Sequence, residues 1–344
     1  MKTARTILAV LVIASFAGCK GALKVPQPPP LAEGKELFTV DFKEGRTLRY
    51  KFVSSRKVNL DWGYKEEKSK RRGGRSDESS SAAQSSESMD LVMAYTPTQV
   101  NPYGLTTISA ACESVNVKRT ARQSSQLRDS KDAVKSLAGK TFNFTVRPDG
   151  KIDDFSQLDA LIREIGEKAF VTRSGQGRIK EPDMIGDFVA AQWFMWDSVS
   201  SIEKPIEGVS VGQSWKSVLS VPAPMIMREA RDVTYSLAQV RQTDKGRIAV
   251  IRSSYAHAES VPQGWPVPYT GSFQVSGPFG LLGRFQIEQL KGQGEELFNL
   301  DAGRTEQYRQ NYHLEVTAAM MWALPGVNPR ITIDQTLTMQ LLEN

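Results

Sequence analysis

The chain has 344 residues, a formal net charge of +6, two histidines and two cysteines. That length suffices for one large core or two ordinary ones. The positive excess is local: Lys65, Lys68, Lys70, Arg71, Arg72 and Arg75 stand against Glu66 and Glu67, and a serine-rich run follows. A nucleic-acid binder spreads basic residues over a groove or helix face among aromatics, so this composition argues against one and leaves a weak attraction to anionic envelope surfaces.

At the N-terminus Lys2 and Arg5 precede ILAVLVIASF (Ile7 to Phe16). This is the charged n-region and short h-region of a secretory signal, too short for the roughly 20 apolar residues of a membrane-spanning helix. Ala17, Gly18 and Cys19 then resemble the lipobox of bacterial lipoproteins, with Phe16 in place of the usual leucine. The resemblance implies a signal peptide over 1–18 and a lipid on Cys19, the one good nucleophile in the stretch; ordinary signal-peptidase cleavage near Gly18 is the alternative. Lys20 stands where an aspartate would resemble an inner-membrane retention signal, which favours the periplasmic side of the outer membrane. Residues 19–36, with PQPPP, form a lipid-anchored, proline-rich spacer. With Cys19 lipidated, Cys112 remains alone, so no intramolecular disulfide and no Cys/His zinc site can form; in TTISAACESV it reads as a small buried side chain.

The body is expected over 37–344. Period-two alternation marks strands in TLRYKFV (Leu48, Tyr50, Phe52), MDLVMAY (Met89, Leu91, Met93, Tyr95) and TFNFTV (Phe142, Phe144, Val146). It returns in DVTYSL (Val233, Tyr235, Leu237), NYHLEVTA (Tyr312, Leu314, Val316, Ala318) and ITIDQTLTMQL (Ile331, Ile333, Leu337, Met339, Leu341). Less regular strands are expected at 106–117, 215–221, 247–255, 284–290 and 295–300. One-faced alternation argues for antiparallel pairing. Two helices interrupt: one capped by Asp153 or Asp154 with Phe155, Leu158, Leu161, Ile162 and Ile165 on a stripe, and one over 183–199 carrying Ile185, Phe188, Val189, Gln192, Trp193 and Trp196. The body thus reads as two halves, 37–152 and 209–344, around a helical middle, 153–201, with a disordered loop at 65–88. FTVRPDGK and FNLDAGR are a weak echo between the halves.

Catalytic chemistry finds little support. His257 and His313 lack partners at motif spacing, and no GxSxG elbow or GK[ST]-ending phosphate loop occurs. Asp153/Asp154 and Glu295/Glu296 read as a helix cap and a turn or strand edge rather than as a glycosidase pair. No metal ligand set and no cofactor site are expected, and Asn143 in NFT lies within a strong strand.

The fold expectation is α+β: one large curved antiparallel sheet, an incomplete barrel with amphipathic helices against its concave face. Two small antiparallel β domains joined by a helical linker are the alternative. The first arrangement is similar to lipoprotein carriers and related lipid-anchored envelope proteins, whose concave apolar face holds acyl chains. That resemblance implies a non-catalytic, lipid-anchored envelope protein that binds a lipophilic or amphipathic ligand, with Ile185, Phe188, Val189, Trp193 and Trp196 lining the site. A structural or interaction lipoprotein with a filled core is the competing reading, and an envelope hydrolase a third.

Overall fold

The alternating segments assemble, in a computed structural model, into one antiparallel sheet of eleven strands. The structure describes residues 33–62, 82–121, 133–169, 179–180, 184–202, 207–220, 230–260, 273–274, 282–320 and 328–343. Cys19, the expected anchor residue, and the segment expected as its signal lie outside them.

In chain order the strands are β1 (Lys35–Glu36), β2 (Leu48–Asp61), β3 (Ala82–Val100), β4 (Thr106–Ala121), β5 (Thr141–Val146), β6 (Ile152–Asp154), β7 (Ile179–Lys180), β8 (Val209–Ser210), β9 (Ser214–Ser220), β10 (Ala230–Thr243), β11 (Gly246–His257), β12 (Phe273–Gln274), β13 (Leu282–Asn299), β14 (Arg304–Met320) and β15 (Arg330–Leu342). The sheet order is β6-β5-β4-β3-β2-β15-β14-β13-β11-β10-β9, unclosed, with β6 and β9 at its edges; β1 pairs with β8, and β7 with β12. The helices are α1 (Ser156–Ala169), α2 (Ile185–Phe194) and α3 (Asp197–Ser200), with a 3-10 turn at Ala133–Leu137. The protein is therefore mostly β, with few helices.

The expected single large antiparallel sheet is present and unclosed, and the alternative of two β domains falls, because β15 pairs with β2 from Arg330↔Asp61 to Leu342↔Arg49 and joins the halves through one continuous hydrogen-bonded seam. Three other expectations change. The serine-rich end of the supposed loop, Ala82 to Ser88, belongs to β3, which pairs with β2 along that stretch and with β4 from Ser85 onward. Interior ladder bonds satisfy its backbone, and Glu87, on the buried face, finds a cation; residues 65–81 lie outside the described residues. The segments 284–290 and 295–300 are not separate: β13 runs from Leu282 to Asn299, and pairing with β14 and β11 is continuous through 291–294, where the break was expected. The second helix is broken after Phe194: Trp196 has φ −131° and ψ 4°, and α3 starts anew behind it.

The alternating side chains do form the core. Tyr50, Phe52, Leu91, Met93, Phe142, Phe144, Val233, Leu237, Leu314, Ile333 and Met339 are all buried in one cluster with the apolar stripe of α1. Asp154 starts α1 by accepting the Ser156 N–H at 2.9 Å, and that bond holds its carboxyl below the usual range. The two echoed segments are the β5–β6 and β13–β14 turns. Gly150 (φ 81°) and Gly303 (φ 58°) stand there, each against the Val40–Asp41 stretch of the N-terminal segment.

Candidate binding face

The registers arrange the buried side chains of neighbouring strands in rows across the sheet. One row runs Glu87, Arg56, Gln335, Tyr312, Gly292, Tyr255. The next runs Met89, Ser54, Leu337, Gln310, Gly294, Ser253, Tyr235. These rows form a polar band in the middle of a buried face. On one side of it lie two aliphatic rows: Val58, Ile333, Leu314, Leu290, and then Leu60, Ile331, Val316, Ile287. On the other side lie aromatic residues, Phe52, Tyr50, Tyr95, Phe142, Phe144 and Tyr308, all buried.

Arg56 organises one end of the band. Its Nε donates to Glu87 Oε2 at 2.7 Å and its Nη1 to Asp187 Oδ2 at 3.0 Å, and all three residues are under 5 % exposed. Asp187, carried by α2, also accepts Ser54 Oγ at 3.1 Å and Gln335 Nε2 at 2.7 Å. Tyr312 OH donates to Gln335 Oε1. Arg119 reaches Glu87 from β4 at 3.5 Å, so two cations meet two carboxylates. Desolvation outweighs these partners and raises the Asp187 carboxyl. The band thereby ties α2 to the sheet at a fixed position.

The other end is organised around Arg231. Its guanidinium carbon lies 4.6 Å from the Tyr255 ring centroid and 5.9 Å from that of Tyr312. Tyr255 OH meets Ser253 Oγ at 2.7 Å and Tyr308 OH at 3.0 Å. Beside them Asp197, the first residue of α3, accepts Tyr235 OH. Glu296 accepts Thr305 Oγ1 at 2.6 Å. Burial pushes both carboxyls up to about 7, against the lowering effect of Arg231 on Asp197. Gly292 and Gly294 make this packing feasible: a Cβ on Gly294 would stand 2.5 Å from Tyr255 OH, and one on Gly292 2.7 Å from the Tyr255 ring.

The expected ligand-lining residues lie on the aromatic side. Ile185 and Phe188 are buried, Trp196 is 7 % exposed, and Val189 and Trp193 are half-buried. Phe188 meets Phe142, Trp193 meets Phe155, and Trp196 meets Phe42, Tyr95 and Phe144. The structure therefore sets Phe188 and Trp196 against sheet aromatics and Trp193 against Phe155 ahead of α1, and Gln192 joins them by accepting Tyr95 OH at 2.7 Å.

Other residues weighed for chemistry are dispersed. His313 is on the wet face with Asp334 at 2.7 Å, which raises its pKa. Glu295 pairs with Arg252 at the surface while Glu296 is buried, so that carboxylate pair is split between the two faces. Burial pushes the Cys112 thiol up to about 12. Among the described residues, no group of three or more His, Cys, Asp or Glu is placed to hold a metal ion, and no helix is long and apolar enough to cross a membrane.

Sequence reading missed Arg56, Glu87, Arg231, Gln310 and Gln335, and it read Glu296, which is buried, as part of a turn or strand edge. Their signal was parity. Arg56 shares the alternation of Tyr50, Phe52 and Val58, Glu87 that of Met89 and Leu91, and Gln335 that of Ile333 and Leu337. A polar residue that keeps apolar parity is a buried polar residue.

No protein-family model and no curated protein matches the chain. Among solved structures it is similar to one of lipovitellin, described as "Lipid-protein interactions in lipovitellin", at 8% identity and a TM-score of 0.40, over 88% of this chain and 26% of that one. The chain thus spans about a quarter of that protein's length. Function rests on its own residues.

Proposed function

We propose that the protein is a non-catalytic binding protein that lays an amphipathic ligand against the buried face of its sheet, held at a bacterial envelope through a lipid on Cys19. The observation that carries the binding reading is the division of that face into aliphatic rows and an adjoining polar band. A core that only stabilises the fold gains little from ionised residues there, since apolar replacements of similar volume are commonly as stable or more so. A ligand with a hydrocarbon part and a polar end matches both zones. The anchor reading is supported by Ile7 to Phe16 and Cys19, and Cys19→Ser should move the protein out of the detergent phase.

The test of binding is native mass spectrometry, with solvent extraction, of protein purified from its own membranes. A non-covalent amphiphile is expected, and Leu314→Phe or Val316→Phe should lower its occupancy. The filled contacts of Phe188 and Trp196 favour the competing reading of a structural or interaction protein. No bound amphiphile, together with a Leu314→Ala cost of about 2–5 kcal/mol as in a packed core, would establish that reading instead.

A further inference from the structure

We infer that Arg231 and Gln310 form an anion subsite on the buried face, taking the carboxylate or phosphate group of a ligand. That the anion belongs to an amphiphile rests on the reading above; the subsite itself does not.

Arg231 is 1% exposed, and its Nε and Nη1 make no hydrogen bond. Gln310 is fully buried, and its Nε2 makes none either. Tyrosines link the two: Gln310 Oε1 accepts Tyr308 OH at 3.5 Å, Tyr308 OH meets Tyr255 OH at 3.0 Å, and the Tyr255 ring lies against the Arg231 guanidinium.

Rings offer a cation their faces but no acceptor for its N–H groups, and a desolvated donor left without an acceptor is costly. Arg56, in the same band, shows the contrast, because two carboxylates take up its Nε and Nη1. Among the described residues no carboxylate is in ion-pair contact with Arg231. Asp197, whose charge Arg231 does feel, is instead engaged by Tyr235, and Glu296, which interacts with Asp197, by Thr305. Their raised pKa values reduce their negative charge near neutrality, and with it their repulsion of an incoming anion. A guanidinium with two open N–H donors suits the oxygens of a carboxylate or phosphate, and the Gln310 amide N–H, at the far end of the tyrosine relay, is a further open donor. The aliphatic rows begin one step along the sheet from Tyr312, so a bound anion would have its hydrocarbon chain beside them.

The test is calorimetric titration of the delipidated full chain with decanoate, decyl phosphate, 1-decanol and inorganic phosphate. The two anionic decyl compounds should bind at least about tenfold tighter than decanol. Arg231→Gln should abolish that ratio while leaving decanol binding in place, and Gln310→Met should reduce it. If Arg231→Gln does not fold, Arg231→Lys and Gln310→Met carry the test, and a wild-type ratio in both overturns the subsite. Equal binding of all decyl compounds with no phosphate binding overturns the subsite but keeps the amphipathic reading. Phosphate binding that Gln310→Met weakens, with no decyl compound bound, keeps the subsite for a free anion and overturns the amphipathic reading. No binding of any probe overturns both.

Discussion

Arg56, Glu87 and Asp187 are buried ions whose cost is offset mainly by one another, with help from Arg119 at Glu87 and from Ser54 and Gln335 at Asp187. Arg56→Met leaves two buried carboxylates without their main cation and should cost about 3–5 kcal/mol, whereas replacing all three by apolar residues of similar size should be nearly neutral or stabilising. Urea unfolding measures both, and a triple variant as unstable as the single one would refute mutual compensation. Asp197 and Glu296 give the protein a pH dependence of definite sign. Their ordinary values are 3.8 and 4.5, and burial raises both to about 7. Between those values the folded state holds protons that the unfolded chain has released, so stability falls as pH rises through 7. From pH 5 to pH 8 the expected loss is roughly 2–3 kcal/mol per carboxyl, and Asp197→Asn with Glu296→Gln should flatten the profile. His313 is raised too and adds in the same direction, but a third of it is exposed and its share is small.

At the scale of elements, β13 works through what it lacks. Gly292 and Gly294 leave room for the Tyr255 ring across the strand, and a methyl at Gly292 would come within 2.6 Å of the Asn311 carbonyl, which is backbone and cannot rotate aside. Gly292→Ala should therefore cost about 1–3 kcal/mol by overpacking, read by thermal unfolding; a neutral result would mean that Tyr255 has another low-energy place. The break between α2 and α3 turns Trp196 onto Tyr95 and Phe144 while Trp193 stays half-buried against Phe155. Trp196→Ala should cost about 3–5 kcal/mol and Trp193→Ala clearly less. Equal costs would show that the break does not separate their surroundings. Both helices were legible as apolar stripes. The break was not, because it follows from which distant aromatic each tryptophan meets.

For the whole molecule, the decisive contact is between the first long strand and the last. β2 and β15 lie side by side in the middle of the sheet, so the halves 37–152 and 209–344 share one hydrogen-bonded ladder. Unfolding should be a single transition by fluorescence and circular dichroism together, and two resolved transitions would contradict the shared ladder. Removing β15 should prevent folding altogether and promote aggregation, because β14 and β2 would each present a long unpaired edge. Folding should also be slow, in milliseconds to seconds, since this seam joins residues nearly the length of the body apart.

Alternation alone determined which side chains of Tyr50, Leu91, Phe144, Val233, Leu314 and Ile333 face inward, because a strand's period of two is local. It determined antiparallel pairing and the capped stripe of α1 for the same reason. The strand order, the continuation of β3 through its serines and the joining of two halves into one sheet were decided by pairing between distant segments, to which local patterns are blind. Only the tertiary structure decided the candidate site. Arg56 was on the inward parity all along, but whether an inward arginine meets carboxylates, as Arg56 does, or tyrosine faces, as Arg231 does, depends on which strand lies beside it.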